Sequence, residues 1–104
     1  GVVSFHGNLA VIPPTKEMKA DVLVCHGEDD KFVLPAEVAT FKKQMDSAGK
    51  HYSFVSYPGA THSFTNPMAT EWGKKFNMPI AYNAHADTAS WQEMKQFFEK
   101  VFKN

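Results

Sequence analysis

The pattern of apolar and polar positions divides the chain into short segments. Gly1-Val2-Val3-Ser4-Phe5 is a brief apolar run that predicts a strand, closed by His6-Gly7-Asn8. Pro13-Pro14 forbids regular structure nearby, because proline lacks an N–H and restricts the residue before it; residues 11–19 are therefore expected to form a loop. Asp21-Val22-Leu23-Val24-Cys25 is the clearest strand, with four consecutive apolar residues running into His26-Gly27. A non-alternating run of this kind suits a parallel strand covered on both faces.

Residues 35–49 predict a helix. Pro35 suits the first helical position, and Val38, Phe41, Met45 and Ala48 follow at spacings of 3, 4 and 3, on one face. Gly49 stands where a left-handed C-terminal residue is expected. Residues 51–57 predict a third strand through Tyr52, Phe54, Val55 and Tyr57, ended by Pro58-Gly59. Residues 65–82 hold no convincing period, being interrupted by Asn66-Pro67, Gly73 and Pro79. They are expected to be a long connection that is either functional or packed on its own aromatics, Trp72, Phe76 and Tyr82. A final helix is expected over residues 87–102, with Trp91, Met94, Phe98 and Val101 as its buried stripe.

Strands alternating with helices predict an α/β layer of about three parallel strands with flanking helices. Three strands make a poor free-standing domain, and the first would lack a neighbour on its outer side. The chain also opens without Met, directly on a strand. Both features lead to the expectation that residues 1–104 are the C-terminal part of a larger domain. An exposed strand edge also invites pairing with another copy of the chain.

Composition narrows the chemistry. The chain has 104 residues, with 11 Lys and Arg together balancing 11 Asp and Glu, for a net charge of zero. All the strong cations are Lys, and Arg, the usual bidentate reader of phosphate and guanine, is missing from the sequence. Neither nucleic acid nor an anionic membrane finds an electrostatic footprint here. No apolar run approaches the roughly 18 residues needed to span a bilayer, and no signal-peptide pattern is present. The single Cys excludes an internal disulfide framework and a Cys-rich zinc site.

Chemistry in open parallel sheets gathers beyond the carboxyl ends of strands. The second strand runs into His26-Gly27-Glu28-Asp29-Asp30-Lys31-Phe32-Val33, and the third into Pro58-Gly59-Ala60-Thr61-His62-Ser63-Phe64. Adjacent strands lie about 4.8 Å apart, so short loops can bring Asp30 and His62 into hydrogen-bond reach. A carboxylate on one imidazole nitrogen fixes the tautomer and leaves the other nitrogen free as a base. Cys25, inside an apolar strand, reads as a small buried hydrophobe rather than a nucleophile. Glu28 reads as a solvated loop residue, His26 as a backbone-bonding turn residue, and His6 as a packing or turn residue near the site. His26, Glu28, Asp29, Asp30 and His62 are mixed nitrogen and oxygen donors, which keeps a metal site as the sharpest competing chemistry.

The residues His26-Gly27-Glu28-Asp29-Asp30-Lys31-Phe32-Val33 resemble the HGxxDxxV segment of the dienelactone hydrolase family. Tyr57-Pro58-Gly59-Ala60-Thr61-His62-Ser63-Phe64 resembles that family's Y-x-G-x-x-H-x-F segment. Gly1 to Gly7 resembles the strand after its nucleophile elbow, and Ala81-Tyr82-Asn83-Ala84 with Ser90-Trp91 its approach to the last helix. The resemblance implies a partial α/β-hydrolase fold and cleavage of a small ester or lactone through an acyl-enzyme. It assigns Asp30 as catalytic acid and His62 as base, and motif spacing to Val33 selects Asp30 over Asp29. No metal or organic cofactor is implied. No G-x-C-x-G or G-x-S-x-G is present, so the nucleophile and oxyanion donors are expected upstream of Gly1. The missing Arg counts against a dienelactone substrate, whose carboxylate the family is expected to hold with Arg. The competing reading is a catalytically silent fragment or interaction module that keeps the fold.

Overall fold

The computed structural model describes residues 2–7, 21–49 and 51–102. The expected loop at 11–19 lies outside them. The elements are β1 (Val2–Phe5), β2 (Val22–Gly27), α1 (Pro35–Ser47), β3 (Tyr52–Tyr57), α2 (Ala69–Phe76) and α3 (Ala84–Phe102). The strands form one parallel sheet in the order β1-β2-β3. In register, Phe5 lies beside Cys25, and Gly27 beside Tyr57.

β2 is central and explains its own composition. Successive side chains in a strand point to opposite faces, and both faces of this one are covered. Leu23 and Cys25 enter a core with Tyr57, Ala60, Phe64 and Ala86, against which Val3, Phe5, Val55, Ala89 and Phe97 pack. Val24 points the other way, toward Val33, with Val22, Val38, Phe41 and Phe54 around it. The sheet is thus sandwiched between α3 on one face and α1 on the other, which makes a three-layer α/β arrangement. α1 begins at Pro35 as expected, and Gly49 beyond its end has φ +66°.

Two expectations are corrected. Residues 65–82 contain the helix α2, which buries only its small residues Ala69 and Gly73. Trp72 and Phe76 lie 45% and 59% exposed, so they do not form a packed aromatic cluster under the connection. α3 begins at Ala84, earlier than expected, and its fully buried positions are Ala86 and Ser90. Trp91, expected in the buried stripe, is 47% exposed, although its ring still lies 5.6 Å from that of Phe5. Small residues on the inward face let the helix axis come close to the sheet, and the larger contact is made further along by Phe97.

Phe64 is the largest fully buried side chain, with its ring 5.6 Å from Tyr57 and 5.2 Å from His6. It wedges the loop after β3 against the core. Phe64→Ala is expected to lower unfolding free energy by about 3–5 kcal/mol, read as a fall in the denaturant midpoint at unchanged slope.

Candidate active site

The backbone brings the two strand ends together before any side chain is considered. β2 ends in a turn closed by Asp30 N–H donating to the Gly27 carbonyl (3.0 Å), and β3 in one closed by Ala60 N–H donating to the Tyr57 carbonyl (3.2 Å). Glu28 N–H donates to the Tyr57 carbonyl (3.0 Å) and Asp29 N–H to the Ala60 carbonyl (2.9 Å), which ties one turn to the other. Gly27 makes this approach feasible, because a Cβ there would stand 2.6 Å from the Ala60 carbonyl oxygen and 2.7 Å from that of Thr61.

Asp30 and His62 meet across this junction. His62 Nδ1 lies 2.9 Å from Asp30 Oδ2. A carboxylate only accepts, so Nδ1 carries a proton, and in the neutral ring Nε2 keeps its lone pair. The other oxygen, Oδ1, accepts from the backbone N–H groups of Phe32 (2.8 Å) and Val33 (3.2 Å). The Asp30 side chain is fully buried, and that of His62 retains 29% of its surface. Nε2 takes no protein hydrogen bond among the described residues. The His62 ring has two ring neighbours, Phe32 at 5.1 Å and His6 at 5.6 Å between centroids.

The loop bearing His62 is also held from its far side. Thr61 Oγ1 accepts from Ala81 N–H (2.9 Å), His62 bridges to Ile80, and Asn83 N–H donates to the Phe64 carbonyl (3.0 Å). Asn83 in turn caps α3, its side chain accepting from Ala86 N–H (3.0 Å). Ser63, immediately after His62, adopts φ +64°, and His6 φ +44°. Left-handed backbone costs a side-chain-bearing residue about 1–2 kcal/mol, and such strain gathers where a site needs a fixed geometry.

The other singled-out residues fall elsewhere. Glu28 and Asp29 are exposed. Cys25 is fully enclosed, and burial pushes its thiol up to about 11, which keeps it protonated and unreactive. His26 is buried against Phe54, with ring centroids 5.6 Å apart, and burial lowers its pKa. Among the described residues no three His, Cys, Asp or Glu side chains converge as a metal-binding set. Sequence reasoning placed His6 near the site without a partner. The structure gives it three, His62 and Phe64 by ring contact and Thr65 through an Nε2–Oγ1 contact of 2.8 Å. A cavity of about 360 Å³ lies at the opposite, amino-terminal ends of β2 and β3, lined by Asp21, His51 and Phe97, and takes no part in this cluster.

A parallel sheet between two helical layers, with its titratable pair beyond the carboxyl ends of adjacent strands, is an open α/β arrangement with its candidate site where such sheets carry their chemistry. The chain belongs to the dienelactone hydrolase family, whose model matches residues 1–102. It is similar to a solved dienelactone hydrolase-like promiscuous phosphotriesterase, P91, from metagenomic libraries, with 30% identity and a TM-score of 0.82 over 94% of this chain and 41% of that one. A second solved structure, m3DLH, is 31% identical with a TM-score of 0.84, over 97% of this chain and 42% of that one. The uncharacterized protein K02A2.1 of Caenorhabditis elegans is 32% identical over 97% of this chain and 64% of its own length. The chain thus spans about two fifths of the solved proteins it resembles and 64% of that relative.

Two outcomes are expected from this geometry. Gly27→Ala forces the backbone at residues 60–61 away, so the protein loses about 1–3 kcal/mol of stability, and a structure of the variant shows the Asp30–His62 distance lengthened. The second concerns pH. Burial places the folded-state pKa of His26 below its unfolded value of about 6.5. The unfolded chain therefore binds more protons as pH falls through that range, and stability falls with it. Urea midpoints taken at about pH 7.5 and about pH 5.5 should drop less for His26→Gln than for the wild type.

Proposed function

We propose that the intact protein is a hydrolase of a small ester or lactone, acting through an acyl-enzyme, in which His62 is the general base and Asp30 the acid that orients it. The observation that carries this reading is the 2.9 Å bond from His62 Nδ1 to a fully buried Asp30 carboxylate whose second oxygen is held by two backbone N–H groups. That arrangement fixes the imidazole tautomer and presents Nε2 as the basic nitrogen.

The steps follow from the two residues. Nε2 of His62 takes the proton from a Cys thiol or Ser hydroxyl as that group attacks the substrate carbonyl. Asp30 stabilises the imidazolium so formed. His62 then returns the proton to the leaving alcohol, activates the water that attacks the acyl-enzyme, and gives back the second proton to the nucleophile. No G-x-C-x-G or G-x-S-x-G lies within these 104 residues, so the reading places the nucleophile and the oxyanion donors upstream of Gly1. The same base suits attack at phosphorus, the chemistry named for the similar phosphotriesterase, and a substrate panel should include an aryl phosphotriester beside aryl esters and lactones.

In the intact protein, His62→Ala and Asp30→Asn are each expected to lower kcat by about two to four orders of magnitude. The 104-residue chain alone is expected to leave a p-nitrophenyl ester unhydrolysed. Near-wild-type turnover by either variant overturns the assignment of roles. Turnover by the isolated chain that is lost in its His62→Ala form overturns the upstream nucleophile.

A further inference from the structure

His6 is the histidine whose surroundings ordinary packing explains least. It follows β1 directly, and its backbone N–H donates to the Cys25 carbonyl (2.9 Å), so its main chain is still tied to the sheet. There it turns into the left-handed region at φ +44°, a conformation uncommon outside Gly, in which Asn, Asp and His are the side-chain-bearing residues most often found. The turn aims the ring across to the loop after β3. Its edge meets the His62 ring, with centroids 5.6 Å apart at 65°, and the Phe64 ring at 5.2 Å and 80°. Nε2 lies 2.8 Å from Thr65 Oγ1, a contact between residues 59 positions apart in sequence. An apolar side chain would fill this space. It would not reach the hydroxyl three residues beyond His62.

We propose that His6 is a positioning residue for His62: with Thr65 it forms a clamp that holds the segment 62–65 against the end of β1 and keeps the His62 ring turned onto Asp30. This rests on His62 being the general base and adds the group that steadies it. Two other rings lie beside that of His62. Phe32 lies 5.1 Å away, while His6 bounds the ring at 5.6 Å. Asp30 holds Nδ1 alone, and one hydrogen bond leaves an imidazole free to pivot about it. The clamp removes that freedom by fixing both the loop and the space beside the ring. Burial, and secondarily the neighbouring His62, hold the pKa of His6 below the usual histidine value. At neutral pH its ring is therefore uncharged. It shares a hydrogen bond with the Thr65 hydroxyl and places no second cation beside the imidazolium that His62 becomes.

The test uses the intact protein with a p-nitrophenyl ester and four variants: His6→Asn, which tolerates the left-handed backbone but lacks the ring and its reach, Thr65→Val, which keeps the shape and deletes the hydroxyl, Thr65→Ser, and the His6→Asn/Thr65→Val pair. His6→Asn and Thr65→Val should each lower kcat by about 10- to 100-fold with KM within about twofold. Thr65→Ser should restore turnover, and the double variant should be no slower than the slower single, because the two residues act as one unit. The low-field proton signal of the His62 Nδ1–H bonded to Asp30 should be sharp in the wild type and in Thr65→Ser, and broadened by exchange in the other variants. If His6→Asn does not fold, the near-isosteric Thr65→Val decides. Wild-type kcat in the folded variants, a change confined to KM, or multiplicative losses in the double variant overturn the clamp. Should those results appear while His62→Ala still abolishes turnover, the clamp alone fails. Undiminished turnover by His62→Ala overturns the clamp and the triad together.

Discussion

The bond between Asp30 Oδ2 and His62 Nδ1 sets the terms for the structure around it. It joins the ends of two adjacent parallel strands, so it needs β2 and β3 to finish level with each other, and the pairing of Gly27 with Tyr57 provides that. It also needs a short acid. The Asp30 side chain reaches back to the N–H groups two and three residues ahead of it, the local pattern at which Asp and Asn excel and a longer carboxylate does not. With the carboxylate wholly removed from water, each of its three donors matters. An unsatisfied buried acceptor costs about 1–3 kcal/mol. The atoms that orient the imidazole are therefore the same atoms that make this corner of the fold stable.

The layers exist, in effect, to keep that corner fixed. α1 and α3 cover opposite faces of β2, and Phe64 locks the loop after β3 into the α3-side core. The segment from Thr61 to Phe64 is then stitched on one side to the turn after β2 and on the other to residues 80–83. A loop with so many main-chain anchors has little freedom to reorganise. Preorganisation of this kind, and not the strength of any one contact, is what the role proposed for His62 requires.

The legible parts of the molecule were those whose periodicity and surroundings agreed. β2 is a run of four apolar residues because both of its faces are covered, and α1 shows a 3-4-3 spacing because one face meets Val24 and Phe54. Asp30 and His62 stood out because a parallel sheet brings the ends of its strands to one edge. α2 was illegible for the opposite reason. Its large apolar residues, Trp72 and Phe76, face outward, while its buried face consists of Ala69 and Gly73, and a glycine inside an apolar stretch reads as a break. The helix is stopped by Asn77 in the left-handed region, a residue type that signals a cap only once the helix is known. In α3 the inward positions are Ala and Ser, so the aromatic spacing that includes Trp91 pointed to the wrong face. His6 gave a position and no partner, because its contacts with His62 and Thr65 arise only when the ends of β1 and β3 are folded to the same edge.

A few residues along β2 show how sharply location decides chemistry in this fold. Cys25 lies within the strand, where the enclosing core raises its thiol to about 11 and leaves it an inert filler. His26, the next residue, points to the opposite face, and its burial against Phe54 favours the neutral ring. Glu28 and Asp29 sit in the turn and face water, which solvates and screens them. Asp30 is the first acid to fold back under the turn, where it is desolvated and met by three donors. Desolvation silences the first two groups because it outweighs the contacts that favour their charged forms, the Tyr57 hydroxyl at Cys25 and the Asp30 and Glu28 carboxylates near His26. It empowers Asp30 because a low-dielectric setting strengthens every interaction with a carboxylate whose partners are already in place. The boundary between structural and chemical roles is thus the last hydrogen-bonded pair of the strand, and a shift of Asp30 by one residue in either direction would put its carboxylate on the wrong side of that boundary.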